Sequence, residues 1–286
     1  MIDRANTICE EYAAAGYSLT LRQLYYRFVA NGWIPNTQES YNKLGSVVNN
    51  ARLAGEIDWN HVVDRTRPLH QLSTWDDPTD IISDSAVAYR EAVWRNQRNY
   101  VEVWVEKEAL ADVVGRAADT WDVAYFACKG YTSQSAQWRA AMRLVRKYGE
   151  GKKCYVIHLG DHDPSGIDMT RDIDDRLFTF CRRHGADVPT VVRLALNMDQ
   201  VEQYNPPPNP AKMTDTRFRA YMEQFGTESW ELDALPPDVL DTLIQERIQS
   251  LIEMGQWDRD KEQQEENRRV LQAVSDRWEE VVELVG

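Results

Sequence analysis

Apolar residues along this chain alternate between two spacings, and each spacing predicts a different element. Leu21, Leu24, Tyr25 and Phe28 recur at i, i+3, i+4 and i+7, the single stripe of an amphipathic helix. Tyr41, Leu44, Val47, Val48 and Ala51 repeat that spacing, and Gly55 follows as a stop. Ser18 or Thr20 can cap the first of these helices, and Gly32 to Pro35 reads as a turn between the two. Three short apolar runs then read as buried strands: Val101 to Val105, Val123 to Ala127 and Cys154 to Leu159. Helical segments fill the gaps between them, so the strands alternate with helices and predict a parallel sheet. Tyr204 to Pro210 carries four prolines and must be extended. Beyond it, Leu240, Leu243, Ile244, Ile248 and Leu251 mark one helix, and Val270 to Val282 marks a last one suited to packing or dimer contact.

The expected architecture is therefore mixed α/β. Residues 1–75 form a helix-turn-helix domain with a wing near Ile57 to Arg67. Residues 76–98 link the domains through a helix from Ser85 to Arg98. Residues 99–200 carry the parallel sheet flanked by helices, and residues 201–286 form an extended connector and C-terminal helices. The sequence has no run of about 18 apolar residues, so no membrane span is expected. The start, Met1-Ile2-Asp3-Arg4, is no signal peptide. Cys9, Cys128, Cys154 and Cys181 are too scattered for a zinc site and fit free thiols in a cytoplasmic protein.

Chemistry is concentrated at the predicted strand ends. Glu106 directly follows the first apolar run, and Asp161-His162-Asp163-Pro164-Ser165-Gly166 follows the third. In parallel sheets functional groups gather at the carboxyl ends of the strands. Asp161 and Asp163, two apart, share a side in extended backbone. Three such carboxylates form an oxygen-only donor set suited to Mg2+. Lys129-Gly130 follows the second run and would face the same cleft, where Lys129 could bind a DNA phosphate or balance the acidic site.

These residues resemble the Toprim domain, in which a Glu after one strand and an Asp-x-Asp after another hold the metal. The series Glu106-Lys107, Lys129-Gly130-Tyr131 and Asp161-x-Asp163-Pro164-x-Gly166 is similar to the A subunit of type IIB topoisomerase (topoisomerase VI) and to the related meiotic double-strand-break protein. The segment from Arg22 to Tyr26 adds that family's Arg-x-x-Tyr-Tyr pattern in a winged helix. The resemblance runs from Leu19 to about Leu251. It implies that Tyr26 is the nucleophile, that Arg22 assists it, and that Glu106, Asp161 and Asp163 bind Mg2+. Tyr26 lies about 100° off the apolar stripe, and Arg22 is one turn before it on the same face. A guanidinium there favours the phenolate and can hold a phosphate.

The implied activity is Mg2+-dependent double-strand cleavage of DNA through a 5′-phosphotyrosyl intermediate, carried out by a homodimer. A hydrolytic Toprim nuclease and a non-catalytic DNA-binding partner are the alternatives. The family also implies a GHKL-type ATPase B subunit, reached through an N-terminal extension. Only 25 residues precede Tyr26, so the expected form is the short, stand-alone "mini-A" type, nucleoid-associated or phage-, virus- or plasmid-encoded.

A net charge of −13 sits awkwardly with a DNA-bound partner. Local basic clusters then matter more than the sum. Arg139, Arg143 and Arg146 share one helical face and form either a phosphate track or a solvated helix surface. Arg52, Arg65 and Arg67 are further candidate phosphate contacts, although Arg65 could instead pair with Asp64 or Asp58.

Overall fold

The computed structural model describes residues 1–63 and 72–285. In chain order it contains α1 (Ile2–Ala14), α2 (Leu21–Ala30), α3 (Gln38–Leu53), α4 (Pro78–Ala88), β1 (Asn99–Val105), α5 (Ala111–Thr120), β2 (Ala124–Ala127), α6 (Gln134–Gly149), β3 (Lys153–Leu159), α7 (Pro164–Arg183), β4 (Thr190–Ala195), α8 (Met198–Tyr204), β5 (Asn209–Pro210), α9 (Phe218–Phe225), β6 (Glu228–Ser229), α10 (Pro237–Gln249), α11 (Met254–Asp276) and α12 (Trp278–Val285).

β1 to β4 form one parallel sheet in the order β2-β1-β3-β4. Successive residues of a strand point to opposite faces, and here both faces are covered. Val101, Val103, Val105, Ile157 and Leu159 pack with α5 and α10. Trp104 and Val156 face the other way, onto α6 and α7. That double burial explains why β1 and β3 read as continuous apolar runs instead of alternating ones. The mixed α/β expectation with a helix-flanked parallel sheet is met, and the C-terminal region is helical. The expected strands did not include β4, in which Arg193 interrupts the apolar run.

α1, α2 and α3 share a second core built on Leu19, Leu24, Phe28, Leu44 and Val48. Thr20 caps α2 through a full capping box with Gln23, and Gly55 ends the α3 region at φ +77°. Leu19 and Val62 form an isolated parallel bridge. Of the expected wing, residues 57–63 are described, while 64–67, including Arg65 and Arg67, lie outside the described residues.

Two boundaries differ from expectation. The linker helix is α4, eleven residues from Pro78 to Ala88, and not Ser85 to Arg98. Asp77 accepts the Thr79 N–H and Pro78 occupies the first turn, a strong local start. Beyond Ala88 the chain is drawn off the helix by α11: Gln264 accepts the Glu91 N–H at 3.0 Å, and Arg268 donates to the Tyr89 carbonyl at 3.0 Å. The last helix is also two, since Met254–Asp276 and Trp278–Val285 break at Arg277. Among the described residues, no helix is long and apolar enough to cross a membrane.

Candidate active site

Glu106, Asp161 and Asp163 line one cavity of 600 Å³ at the carboxyl ends of β1 and β3. Register brings them there, because Val105 and Leu159, the last residues of the two strands, are paired. The Glu106 carboxylate accepts the Asp161 backbone N–H at 2.9 Å, tying one acidic loop to the other. Asp163 caps α7, accepting the Gly166 N–H at 2.6 Å, while Pro164 opens the helix. Gly166 is required at its position: an added Cβ would stand 2.2 Å from the Asp161 carbonyl oxygen. A Cβ at Gly160 would meet Glu106 Oε2 at 2.9 Å, a side-chain end that would have to shift from the Asp161 N–H.

Burial, and then repulsion from Asp161, pushes the Glu106 carboxyl up to about 7. Burial likewise raises Asp161 to about 6, against the pull of Lys107. Crowded carboxylates of this kind gain from a cation. Their oxygen-only chemistry fits Mg2+, which keeps several waters and needs few protein ligands. Among the described residues, however, no three His, Cys, Asp or Glu side chains are gathered as a ready metal cage. Asp161 is instead paired with Lys107 at 2.9 Å and accepts the Leu232 N–H at 2.8 Å. Glu106, Asp161 and Asp163 are the residues that would hold the ion.

Tyr26 opens on a smaller neighbouring cavity of 170 Å³, and Arg22, Asn209 and Glu231 line both spaces. Its ring is as buried as that of Tyr25, at 3% and 4% exposed. Tyr26 lies on the face of α2 that is off the apolar stripe. It is covered because the turn Leu232–Ala234 and the connector at Asn209 pack on it. Burial first, and then the Glu231 carboxylate, push the Tyr26 phenol well above its ordinary range, against Asn209 and Arg22. The expected phenolate-favouring effect of Arg22 is thus overridden in this arrangement. The Arg22 guanidinium lies 5.8 Å from the Tyr26 ring centroid. Its charge is held by Glu231 at 2.5 Å and Asp233 at 3.3 Å.

The remaining expected contacts divide. Lys129 does line the larger cavity, at φ +56°, and pairs with Glu108 at 2.7 Å. Arg143 is turned inward, donating through Nε and Nη2 to the fully buried Glu102 at 3.0 and 2.9 Å. It is therefore removed from the proposed phosphate track, because a carboxylate inside the sheet needs a counter-charge. Arg139 and Arg146 remain exposed on α6. Arg52 stacks 4.1 Å over the Trp59 ring and donates to the Trp59 carbonyl.

Arg193 was missed. Its guanidinium, deep behind the acidic loops, donates to the carbonyls of Gly160, Asp161, Gly166 and Leu196 and to Thr170 Oγ1, at 2.6–3.1 Å. Its only local signal was an arginine inside an apolar run. Lys107, Glu231 and Asp233 also went unassigned, although Glu106-Lys107 stood among the residues that carry the resemblance. No protein-family model matches the chain, and no curated protein matches it either.

Proposed function

We propose that this protein is a Mg2+-dependent DNA-cleaving transesterase of the topoisomerase VI A-subunit type, with a winged-helix region ahead of a Toprim-type domain. The observation that supports this reading is that one chain carries both halves of such a site, in two neighbouring cavities. One holds Tyr26, the other Glu106, Asp161 and Asp163, and Arg22, Asn209 and Glu231 are shared between them. In the family the tyrosine of one subunit works with the acidic site of the other, so a homodimer would complete each site. Arg22 would hold the scissile phosphate and offset the charge that builds on its oxygens. The Tyr26 oxygen would attack phosphorus as its proton leaves. The bond to the 3′ oxygen would break, and the 3′ hydroxyl would take up a proton. Mg2+, when bound, supplies charge neutralisation at the phosphate and leaving oxygen. Double-stranded DNA as substrate, action as a homodimer, and any ATPase B-type partner belong to the same proposal.

One observation favours a second reading, hydrolysis by water in a Toprim-type nuclease. The Tyr26 hydroxyl is buried and held protonated. The separating experiment is to stop a plasmid cleavage reaction with detergent and ask whether protein remains on the 5′ ends. Covalent protein–DNA adducts are the expected result. Free 5′ phosphates on every cut end would refute the tyrosine route and leave hydrolysis.

A further inference from the structure

Glu231 makes an unusual set of contacts for a carboxylate at the rim of a cavity. Its two oxygens accept from Arg22 Nε at 2.9 Å and from Arg22 Nη2 at 2.5 Å. The oxygen facing Arg22 Nε also accepts from Lys107 Nζ at 2.9 Å. Forked donation from a guanidinium together with a lysine ammonium suits a phosphate group as well as it suits a carboxylate. Arg22 and Lys107 come from distant parts of the chain, α2 and the end of β1. Both line the larger cavity, which gives a ligand access to them.

We propose that Arg22 and Lys107 form a seat for one phosphodiester group of DNA, and that the Glu231 carboxylate occupies this seat in the free protein as a stand-in for the phosphate. Lys107 then becomes a phosphate-binding residue of the site. Glu231 becomes a competitor that DNA must displace. Asp161 and Asp233, which also contact Lys107 at 2.9 and 2.8 Å, keep its ammonium in place when Glu231 leaves. The inference rests on the DNA-cleaving reading for the identity of the anion. It concerns binding alone, so it can fail or stand apart from the chemistry.

The test uses the full chain and a fluorescent 30-base-pair duplex in Mg2+-free buffer, so that no cleavage intervenes. Glu231→Gln keeps the side-chain shape and removes the competing charge. Glu108→Gln removes the same charge from the same cavity wall, where its partner is Lys129 and not Arg22 or Lys107, and reports the gain from baring a basic residue outside the seat. Glu231→Gln should bind DNA at least about 10-fold more tightly than wild type, and Glu108→Gln should gain less than about 3-fold. The gain should vanish in Arg22→Ala/Glu231→Gln and shrink in Lys107→Met/Glu231→Gln, relative to the matching single variants. Melting curves identify any variant that fails to fold, and Arg22→Lys and Lys107→Gln replace it. Equal gains from the two Glu→Gln changes would overturn the proposal, as would a gain that survives loss of Arg22 or failure of every variant to bind duplex. Tight, Arg22-dependent binding without covalent adducts in Mg2+ would uphold the seat while refuting the tyrosine mechanism.

Discussion

Adjacent tyrosines on α2 give opposed predictions when their hydroxyls are removed one at a time. The Tyr26 hydroxyl has one long contact, 3.5 Å from Asn209 Nδ2. Its ring packs edge-on against Tyr25, with centroids 5.3 Å apart, and phenylalanine keeps that packing. Losing so weak a hydrogen bond should cost less than about 1 kcal/mol. The Tyr25 hydroxyl donates to Asn36 Oδ1 at 2.9 Å and to the Thr37 carbonyl at 3.1 Å. Asn36 in turn donates to the Pro208 carbonyl and to Asn209 Oδ1. Tyr25→Phe therefore strips a polar cluster that fixes the connector, at a cost of about 1–3 kcal/mol. For a chain of this size that lowers Tm by about 2–5 °C, against under about 2 °C for Tyr26→Phe. Cleavage should invert the order. Tyr26→Phe removes the attacking oxygen and should lose more than about 10³-fold in rate, equivalent to about 4 kcal/mol of barrier. Tyr25→Phe should stay within about 10-fold of wild type at a temperature where both remain folded. The assays are differential scanning fluorimetry and single-turnover cleavage of supercoiled plasmid. A Tyr26→Phe protein that cuts at the wild-type rate would refute the nucleophile assignment. A Tyr26→Phe protein that loses more stability than Tyr25→Phe would refute the hydrogen-bond account of α2.

Arg143→Met should lower stability by about 1–3 kcal/mol, because Glu102 loses its counter-charge and keeps only the Tyr100 and Trp104 hydrogen bonds, while the half-exposed guanidinium is already screened by solvent. It should leave the salt slope of DNA binding as it is, whereas a slope flattened by about 0.9 would return Arg143 to the phosphate track. Burial, reinforced by Arg193, holds His158 down at about 3 and His162 at about 4. The unfolded chain then takes up these protons first, a contribution that lowers stability as pH drops from about 6.5 toward 4. Glu106 and Asp161 contribute in the opposite direction, because their raised carboxyls take up protons first in the folded chain. A His158→Gln/His162→Gln protein should therefore gain urea-unfolding stability relative to wild type as pH falls through this window, and an unchanged difference between the two would refute this. Gly166→Ala should be destabilised by about 3 kcal/mol or more, because its Cβ meets backbone that cannot swing aside. A Gly166→Ala protein that melts within a degree of wild type would show the Asp161 loop to be far more yielding than its geometry implies.

Local pattern in the sequence determined the elements whose stabilising contacts are near in sequence or uniform along a face. The stripe through Leu21, Leu24, Tyr25 and Phe28 could only be one side of a helix, and the capping box at Thr20 fixed its start. The runs ending at Val105 and Leu159 read as strands covered on both sides, which put Glu106 and Asp161 at one end of a parallel sheet. Side-chain partners were decided by tertiary packing. Arg143 meets Glu102 across 41 residues, Lys107 meets Asp233 across 126, and Arg22 meets Glu231 across 209. Nothing in a helical or strand period encodes such pairings, since a charged residue on a solvent-facing repeat looks the same whether its partner is water or another side chain. The burial of Tyr26 follows the same logic. Its position off the α2 stripe was legible, but the connector at Asn209, 183 residues away, and the turn at Leu232–Ala234, more than two hundred residues away, cover it. Only the folded chain could place them there.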